Sequence, residues 1–276
     1  MPASLRARNL LERIDAVDGG CAHPPAYEFV VDPVVGVRNG QALASYSREL
    51  AELLLQVFDA DQFPLILGGD CAVLLGSALA LQRRGHHGLV FVDGHQDLLT
   101  TESSPRKGAA GMDLALVCGV GPQALTDLGD VVPLFDPVDV LLLGDRSGDD
   151  EYPGADVQLL RSAMFVAGLS QWREEGIANV LEQGLAKLHE RGVERGWLHL
   201  DLDVLDDDIM PAVDSRQPGG LKAHELQDFL TVLLGSGFLS GMQLTIYDPE
   251  KDPTGAAGDL IVDVVESAFQ AARTTR

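Results

Sequence analysis

Gly88-Leu89-Val90-Phe91-Val92 runs directly into Asp93-Gly94-His95-Gln96-Asp97. The first five residues form an unbroken apolar run of strand length, as expected for a strand buried on both faces of a parallel sheet. The next five place two carboxylates and an imidazole at its carboxyl end. In extended geometry alternate residues share a face, so Asp93, His95 and Asp97 project together, and three such groups repel one another or lose solvation unless cations sit between them. Four other runs repeat the apolar pattern: 63–67 (FPLIL), 138–143 (VDVLLL), 197–204 (WLHLDLDV) and 241–247 (GMQLTIY). Between them, residues 42–58, 72–84, 174–191, 223–234 and 259–273 carry Leu, Val or Ala at helical spacing with charges opposite. Strand and helix in alternation predict an α/β fold whose mostly parallel sheet is covered on both faces. The Gly-, Pro- and Asp-rich stretches 144–155 and 206–220 read as loops. Without a repeat, low-complexity tract or long linker, residues 1–276 are expected to form one domain.

Composition narrows the partners. The 276 residues are 46% hydrophobic and 22% charged, which excludes a disordered or fibrous chain. Forty-two acidic against twenty basic residues give a formal net charge of −22, a field that repels nucleic acid and anionic membranes and suits cations. A small-molecule substrate is the expectation. Three scattered cysteines, Cys21, Cys71 and Cys118, make no disulfide framework and suggest a reducing compartment. No apolar run approaches the ~18–20 residues of a membrane span, and no signal-peptide layout opens the chain, so a cytoplasmic location is expected.

Ligands in such sheets bind beyond the carboxyl ends of the strands. Gly68-Gly69-Asp70-Cys71 follows FPLIL, and Cys71 is expected at a helix N-terminus, where the dipole favours its thiolate. On its own, a cysteine in apolar surroundings reads as a small core residue. Asp201 and Asp203 interrupt a run of Trp, Leu and Val, and burying two like charges there calls for a cation or strong hydrogen bonds. The trailing Asp206, Asp207 and Asp208 read as a solvated loop, and Tyr247-Asp248-Pro249 as a turn. Cys71, Asp93, His95, Asp97, Asp201 and Asp203 together offer one thiol, one imidazole and four carboxylates. That set suits two divalent ions better than one zinc, which needs three or four ligands. Two ions roughly 3.5–4 Å apart lower the pKa of a water between them and supply hydroxide at neutral pH, so hydrolysis is the default chemistry.

These motifs resemble the arginase, agmatinase and formiminoglutamase family, the ureohydrolases. GGDC (68–71), DGHQD (93–97) and HLDLDVLDD (199–207) are similar to that family's GGDH, DAHxD and SxDxDxxDP, in the same order, and MPAVDSRQPGGL (210–221) is similar to the segment that follows. The resemblance implies a three-layer α/β/α fold and a hydrolase with two metal ions, expected to be manganese, cleaving a C–N bond of a guanidino or related compound. Carried over position by position, the metal ligands would be Cys71, Asp93, His95, Asp97, Asp201 and Asp203, and Asp97 would also accept a hydrogen bond from the bridging hydroxide. The family commonly forms trimers or hexamers, which makes a homo-oligomer an expectation.

The departures from that pattern carry expectations too. Cys71 stands where the family has histidine, and a thiolate there opens the centre to zinc or iron and to oxidation. Residues 98–117 contain no histidine to match the arginases' proton shuttle. Asp113 is the nearest polar candidate on the substrate side, with a helix cap or turn as its structural alternative. The family's guanidinium-binding glutamate, three residues before the last turn's Pro249, is Ile246 here, so the substrate is expected to differ from arginine or agmatine; Glu250, Asp248 and Glu102 are alternative sources of negative charge. The helix at Pro2-Ala3-Ser4-Leu5-Arg6 resembles one that normally follows a first strand, which has no counterpart ahead of it. Either the natural chain begins further upstream or the sheet is built without that strand. Two other readings compete with the hydrolase. One is a deacetylase-like site with a single zinc, which the additional carboxylates Asp97 and Asp203 disfavour. The other is an arginase-like metal-binding protein without turnover.

Overall fold

Among the described residues, six parallel strands form one sheet in the order β1-β6-β5-β2-β3-β4. They are β1 (Leu65–Leu67), β2 (Gly88–Val92), β3 (Val140–Leu143), β4 (Phe165–Ala167), β5 (Gly196–Asp201) and β6 (Leu239–Thr245). The structure is a computed structural model describing residues 1–129 and 131–275; Asp130 and Arg276, part of the expected 1–276 unit, lie outside it.

The alternation of side chains along each strand divides the core. Leu89, Phe91, Val140, Leu142 and Trp197 face one way, onto the helices Gly40–Asp59 and Leu74–Arg84. Val90, Val92, Leu141, Leu143, Leu198 and Leu200 face the other way, onto Ile177–Glu190, Ala223–Gly235 and Ala256–Thr275. Every residue of β2 is buried, and at about 1.5–3 kcal/mol for each large apolar side chain this burial offsets the cost of the polar cluster at the strand's end. The expected three-layer α/β/α arrangement is therefore the observed one.

The chain steps from β2 to β3 to β4 in one direction across the sheet and from β5 to β6 in the other. β2 and β5 are neighbours, with Val92 opposite Leu200, so the crevice at this switch point opens between the residues that follow both strands. β1 lies at the sheet's edge, paired with β6 alone among the described strands.

Three local features differ from expectation. The 174–191 helix is two helices, Leu169–Glu175 and Ile177–Glu190, broken at Gly176, whose φ of +86° glycine adopts without strain. β4 is only three residues long, too short for a periodicity to register. The runs 197–204 and 241–247 leave extended geometry early. At Asp201 the side chain accepts a hydrogen bond from the Asp203 amide at 2.6 Å, turning residues 202–204 into a 3-10 turn. Among the described residues no helix is long and apolar enough to cross a membrane.

Candidate metal centre

The carboxyl ends of four strands converge. Cys71 follows β1, Asp93 follows β2, Asp201 closes β5, and Thr245 closes β6 opposite Asp201 in register. Cys71 Sγ donates to Asp201 Oδ2 at 2.8 Å and lies 3.1 Å from Thr245 Oγ1. His95 reaches Asp203 Oδ2 at 3.0 Å and Asp93 Oδ1 at 3.5 Å through Nδ1, and its amide donates to Asp93 Oδ1 at 2.6 Å. Asp93, His95 and Asp97 converge by a turn rather than by strand pleating: β2 ends at Val92, and Asp97 has a φ of +47°.

Two sets of ligand atoms are mutually within 4.8 Å: Cys71, Asp93 and Asp201 at an inner end, and Asp93, His95 and Asp203 at an outer end, with Asp93 common to both. Asp93 Oδ2 is buried without a hydrogen-bond partner. Shared carboxylates, an imidazole, a thiol and an orphaned buried oxygen are what a pair of divalent cations requires, so the residues present fit such a group. The centre has a direction. His95 is its most open member, with 17% of its side chain exposed, whereas Cys71 and Asp201 are buried. The surface clefts beside Trp172 and beside Leu260 include none of these residues.

The electrostatics of the metal-free cluster point the same way. Burial first, then the charge of Asp203, pushes the Asp93 carboxyl up to about 7. Burial and neighbouring carboxylates likewise raise Asp97 and Asp201 well above the usual carboxylate range. Burial opposes the charged form of His95, but hydrogen bonds to Asp203 and Asp93 and their charges outweigh it, pushing the imidazole up to about 11. Cys71 stands at the N-terminus of a helical segment, as expected, the turn Cys71–Val73 running directly into the helix Leu74–Arg84. Without metal, however, the thiolate is not favoured, because burial together with Asp201, Asp113, Asp97 and Asp93 raises its pKa well above that of a free thiol. Only cations reverse that balance.

All six expected ligands lie at this end of the sheet. Asp113 begins the short helix Asp113–Val117 instead of capping it, and is buried within the cluster. Burial and then the charge of Asp93 raise its pKa well above the usual carboxylate range, the Asp97 carboxyl and the Leu114 amide oppose that shift, and neither Asp113 oxygen makes a well-formed hydrogen bond. Asp206 is not a solvated loop residue. It is buried, accepts from the Gly219 amide at 2.9 Å, pairs with Lys222 at 3.2 Å, and so pins the 206–220 loop. Of the alternative charges, Asp248 lies 3.7 Å from Lys251 and caps the Pro249–Lys251 turn, and Glu102 accepts from Thr101. Ile246 has a φ of +77°, a strained conformation for a β-branched residue, held by its amide's bond to Gly69 O at 2.8 Å.

Three contributors escape a reading of the sequence. Thr245 carries no motif. Arg146, from an expected surface loop, donates to the Asp203 and Val204 carbonyls at 2.7 and 2.8 Å and so fixes the turn that aims Asp203. Its Nη2 and Asp203 fill the space a Cβ at Gly94 would need. His199 shares a strand face with Asp201, a signal that period-two alternation does contain. It is buried, stacks on Phe91 with centroids 4.5 Å apart, and is pushed down to about 3 by desolvation.

A model of the arginase family matches residues 3–270. The arginase of Bacillus subtilis (strain 168) is 29% identical over 270 residues, which cover 96% of this chain and 90% of that protein. The arginase of Bacillus caldovelox is 30% identical over 234 residues, covering 84% and 77%. A crystal structure of Bacillus subtilis arginase superposes with a TM-score of 0.87 at 27% identity, covering 97% of this chain and 91% of that one.

Proposed function

Because the chain belongs to the arginase family, we propose that it is a hydrolase using two divalent cations to cleave a C–N bond of a guanidino or related small nitrogen compound. The observation that carries this reading is the convergence of Cys71, Asp93 and Asp201 on one side and of Asp93, His95 and Asp203 on the other, with the shared Asp93 leaving Oδ2 buried and without a hydrogen-bond partner. Asp93, His95 and Asp203 would hold the outer cation; Cys71 and Asp201, with Asp93 shared and Asp97 adjacent, would hold the inner one. Such a pair supplies Lewis-acid polarisation and acidifies water. Manganese is the family expectation, and Cys71 extends the choice to zinc or iron.

The chain's own residues do the rest. The buried carboxylates hold a fixed geometry at the switch point and exclude bulk water from the inner end. Asp97, beside Asp93 and 9% exposed, would accept a proton from the attacking water and return it to the leaving amine. Ile246 presents a hydrocarbon where a guanidinium would need a carboxylate, which favours a neutral or weakly basic substrate over arginine. We read the whole chain as one such unit, acting in the cytoplasm on a small molecule and assembling as a homo-oligomer.

A second reading, metal binding without turnover, draws on two observations: no histidine in residues 98–117 and no acid at 246. A screen of guanidino, ureido and formimino compounds against the manganese-, zinc- and iron-loaded protein separates the two. Release of urea, ammonia or formamide supports the hydrolase; metal binding with no release from any compound supports the binding protein.

A further inference from the structure

A third group of potential ligand atoms, from Cys71, Asp113 and His199, also lies mutually within 4.8 Å. By composition it resembles a zinc triad. His199 Nε2 and both Asp113 oxygens are buried without hydrogen-bond partners, and both side chains are wholly enclosed. The neighbour on the other side of the imidazole decides how this group works. Gln243 places an amide nitrogen 2.6 Å from His199 Nδ1. Its amide orientation is fixed independently, because Gln243 Oε1 accepts from Trp197 Nε1 at 3.0 Å and from Ser77 Oγ at 2.7 Å, and an indole N–H can only donate. The Gln243 NH2 therefore donates to Nδ1, the ring proton sits on Nε2, and the imidazole presents an N–H to the cluster. A metal-ligating histidine has the reverse arrangement, its free ring N–H donating outward to an acceptor.

We propose that His199 is a positioning residue: a fixed, neutral N–H donor serving the Cys71 sulfur and the Asp113 carboxylate when the inner cation is held, and not itself a ligand. This deepens the metallohydrolase reading and rests on its assignment of Cys71 as a ligand. When a cation displaces the thiol proton, Cys71 loses the bond it now donates to Asp201 and gains capacity to accept. His199 Nε2, within 4.8 Å of the sulfur, is the donor placed to fill it, because the Thr245 hydroxyl donates to the Leu200 carbonyl at 3.3 Å. The stack on Phe91 and the Trp197–Gln243 chain prevent the ring from turning away. Donation to a thiolate withdraws electron density from sulfur and makes it a harder ligand, compatible with the surrounding carboxylates.

The experiment uses the full-length protein, metal-free and loaded with Co2+ alone or with diamagnetic Zn2+ alone. Nitrogen-15 NMR of the His199 ring is expected to show Nε2 protonated and Nδ1 unprotonated in both the metal-free and the zinc-loaded protein. In the cobalt protein, His199→Leu, which keeps the volume but removes the donor, should shift the thiolate-to-cobalt charge-transfer band to lower energy, and His199→Gln should restore it in part. Gln243→Glu keeps acceptors for Trp197 and Ser77 but draws the ring proton to Nδ1, so it should free Nε2 to bind cobalt and change the ligand-field bands. Loss of the Nε2 proton on zinc loading of the wild-type protein, or a His199→Leu charge-transfer band identical to wild type, overturns the proposal while leaving the two-metal reading intact. A wild-type cobalt spectrum without any thiolate band instead removes Cys71 from the centre and the proposal with it. If His199→Leu does not fold, the wild-type NMR result and Gln243→Glu still decide.

Discussion

Replacing Asp201 by Asn should have opposite effects on the metal-free and the metal-loaded protein. In the metal-free state Asp201 is buried with Asp203 and Asp93 close enough to raise its pKa, and each unit of such elevation represents about 1.4 kcal/mol held against the ionised form. Asparagine keeps an oxygen to accept from the Asp203 amide and removes that charge, so the metal-free Tm should rise at pH 8. In the loaded state the substitution removes a ligand of the inner set. A metal present at 100 times its Kd stabilises the native state by about 2.7 kcal/mol. For a domain of this size that corresponds to roughly 5–10 °C, at about 2–4 °C per kcal/mol. Thermal melts with and without manganese, paired with metal analysis after gel filtration, should therefore show a smaller metal-dependent increment in Asp201→Asn, reduced by half or more, and a stoichiometry below two. An increment and stoichiometry equal to wild type would refute the reasoning, because the carboxylate would then be a structural acceptor only.

Three further outcomes follow from the same geometry. Gly94→Ala, which restores the residue found in the related motif, puts a Cβ 2.8 Å from Arg146 Nη2 and 2.9 Å from Asp203 Oδ1; it should cost about 1–3 kcal/mol in denaturant melts and weaken metal binding, and the Gly94→Ala/Arg146→Ala pair should be less than additive. The metal-free protein should lose stability as pH rises from about 6.5 to 9. The raised carboxyls contribute stability fully only below their unfolded values and lose it through the folded ones, about 7 for Asp93, and His95 loses its contribution between about 6.5 and about 11. His199 has the opposite sign, its contribution intact above about 6.5 and lost towards about 3, so below pH 6 it offsets part of the stability that the carboxyls gain on acidification. A metal-free Tm that climbs steadily to pH 9 contradicts this. Ile246→Glu should strengthen binding of cationic guanidino compounds by about 1.5–3 kcal/mol, roughly 10- to 100-fold in Kd, with neutral ureido compounds unaffected; calorimetric titration checks both.

The sheet and its ends were legible because burial leaves a simple trace. GLVFV and the run around 65–67 are continuous apolar segments, and β5 and β6 are mostly so, because both faces of a parallel sheet are covered, and the polar residues at their ends stand out against them. Strand length was less legible. Asp201 and Asp93 spend their side chains on nearby backbone amides, which ends extended geometry where hydrophobicity alone would continue it. Arg146 and Thr245 enter the site through contacts 57 and 174 residues away along the chain, and no local pattern encodes those. The Cys71 thiol follows the same logic: its place at a helix N-terminus is local and legible, whereas the burial and the charges of Asp201, Asp113, Asp97 and Asp93 that set its pKa come from other segments.

Anomalous diffraction at the manganese edge, from crystals grown in excess manganese, tests the central claim most directly. Two peaks roughly 3.5–4 Å apart, coordinated by Asp93 in common with Cys71 and Asp201 on one side and His95 and Asp203 on the other, are the predicted result. A single peak, or none with Asp93, Asp201 and Asp203 turned away from one another, would contradict it.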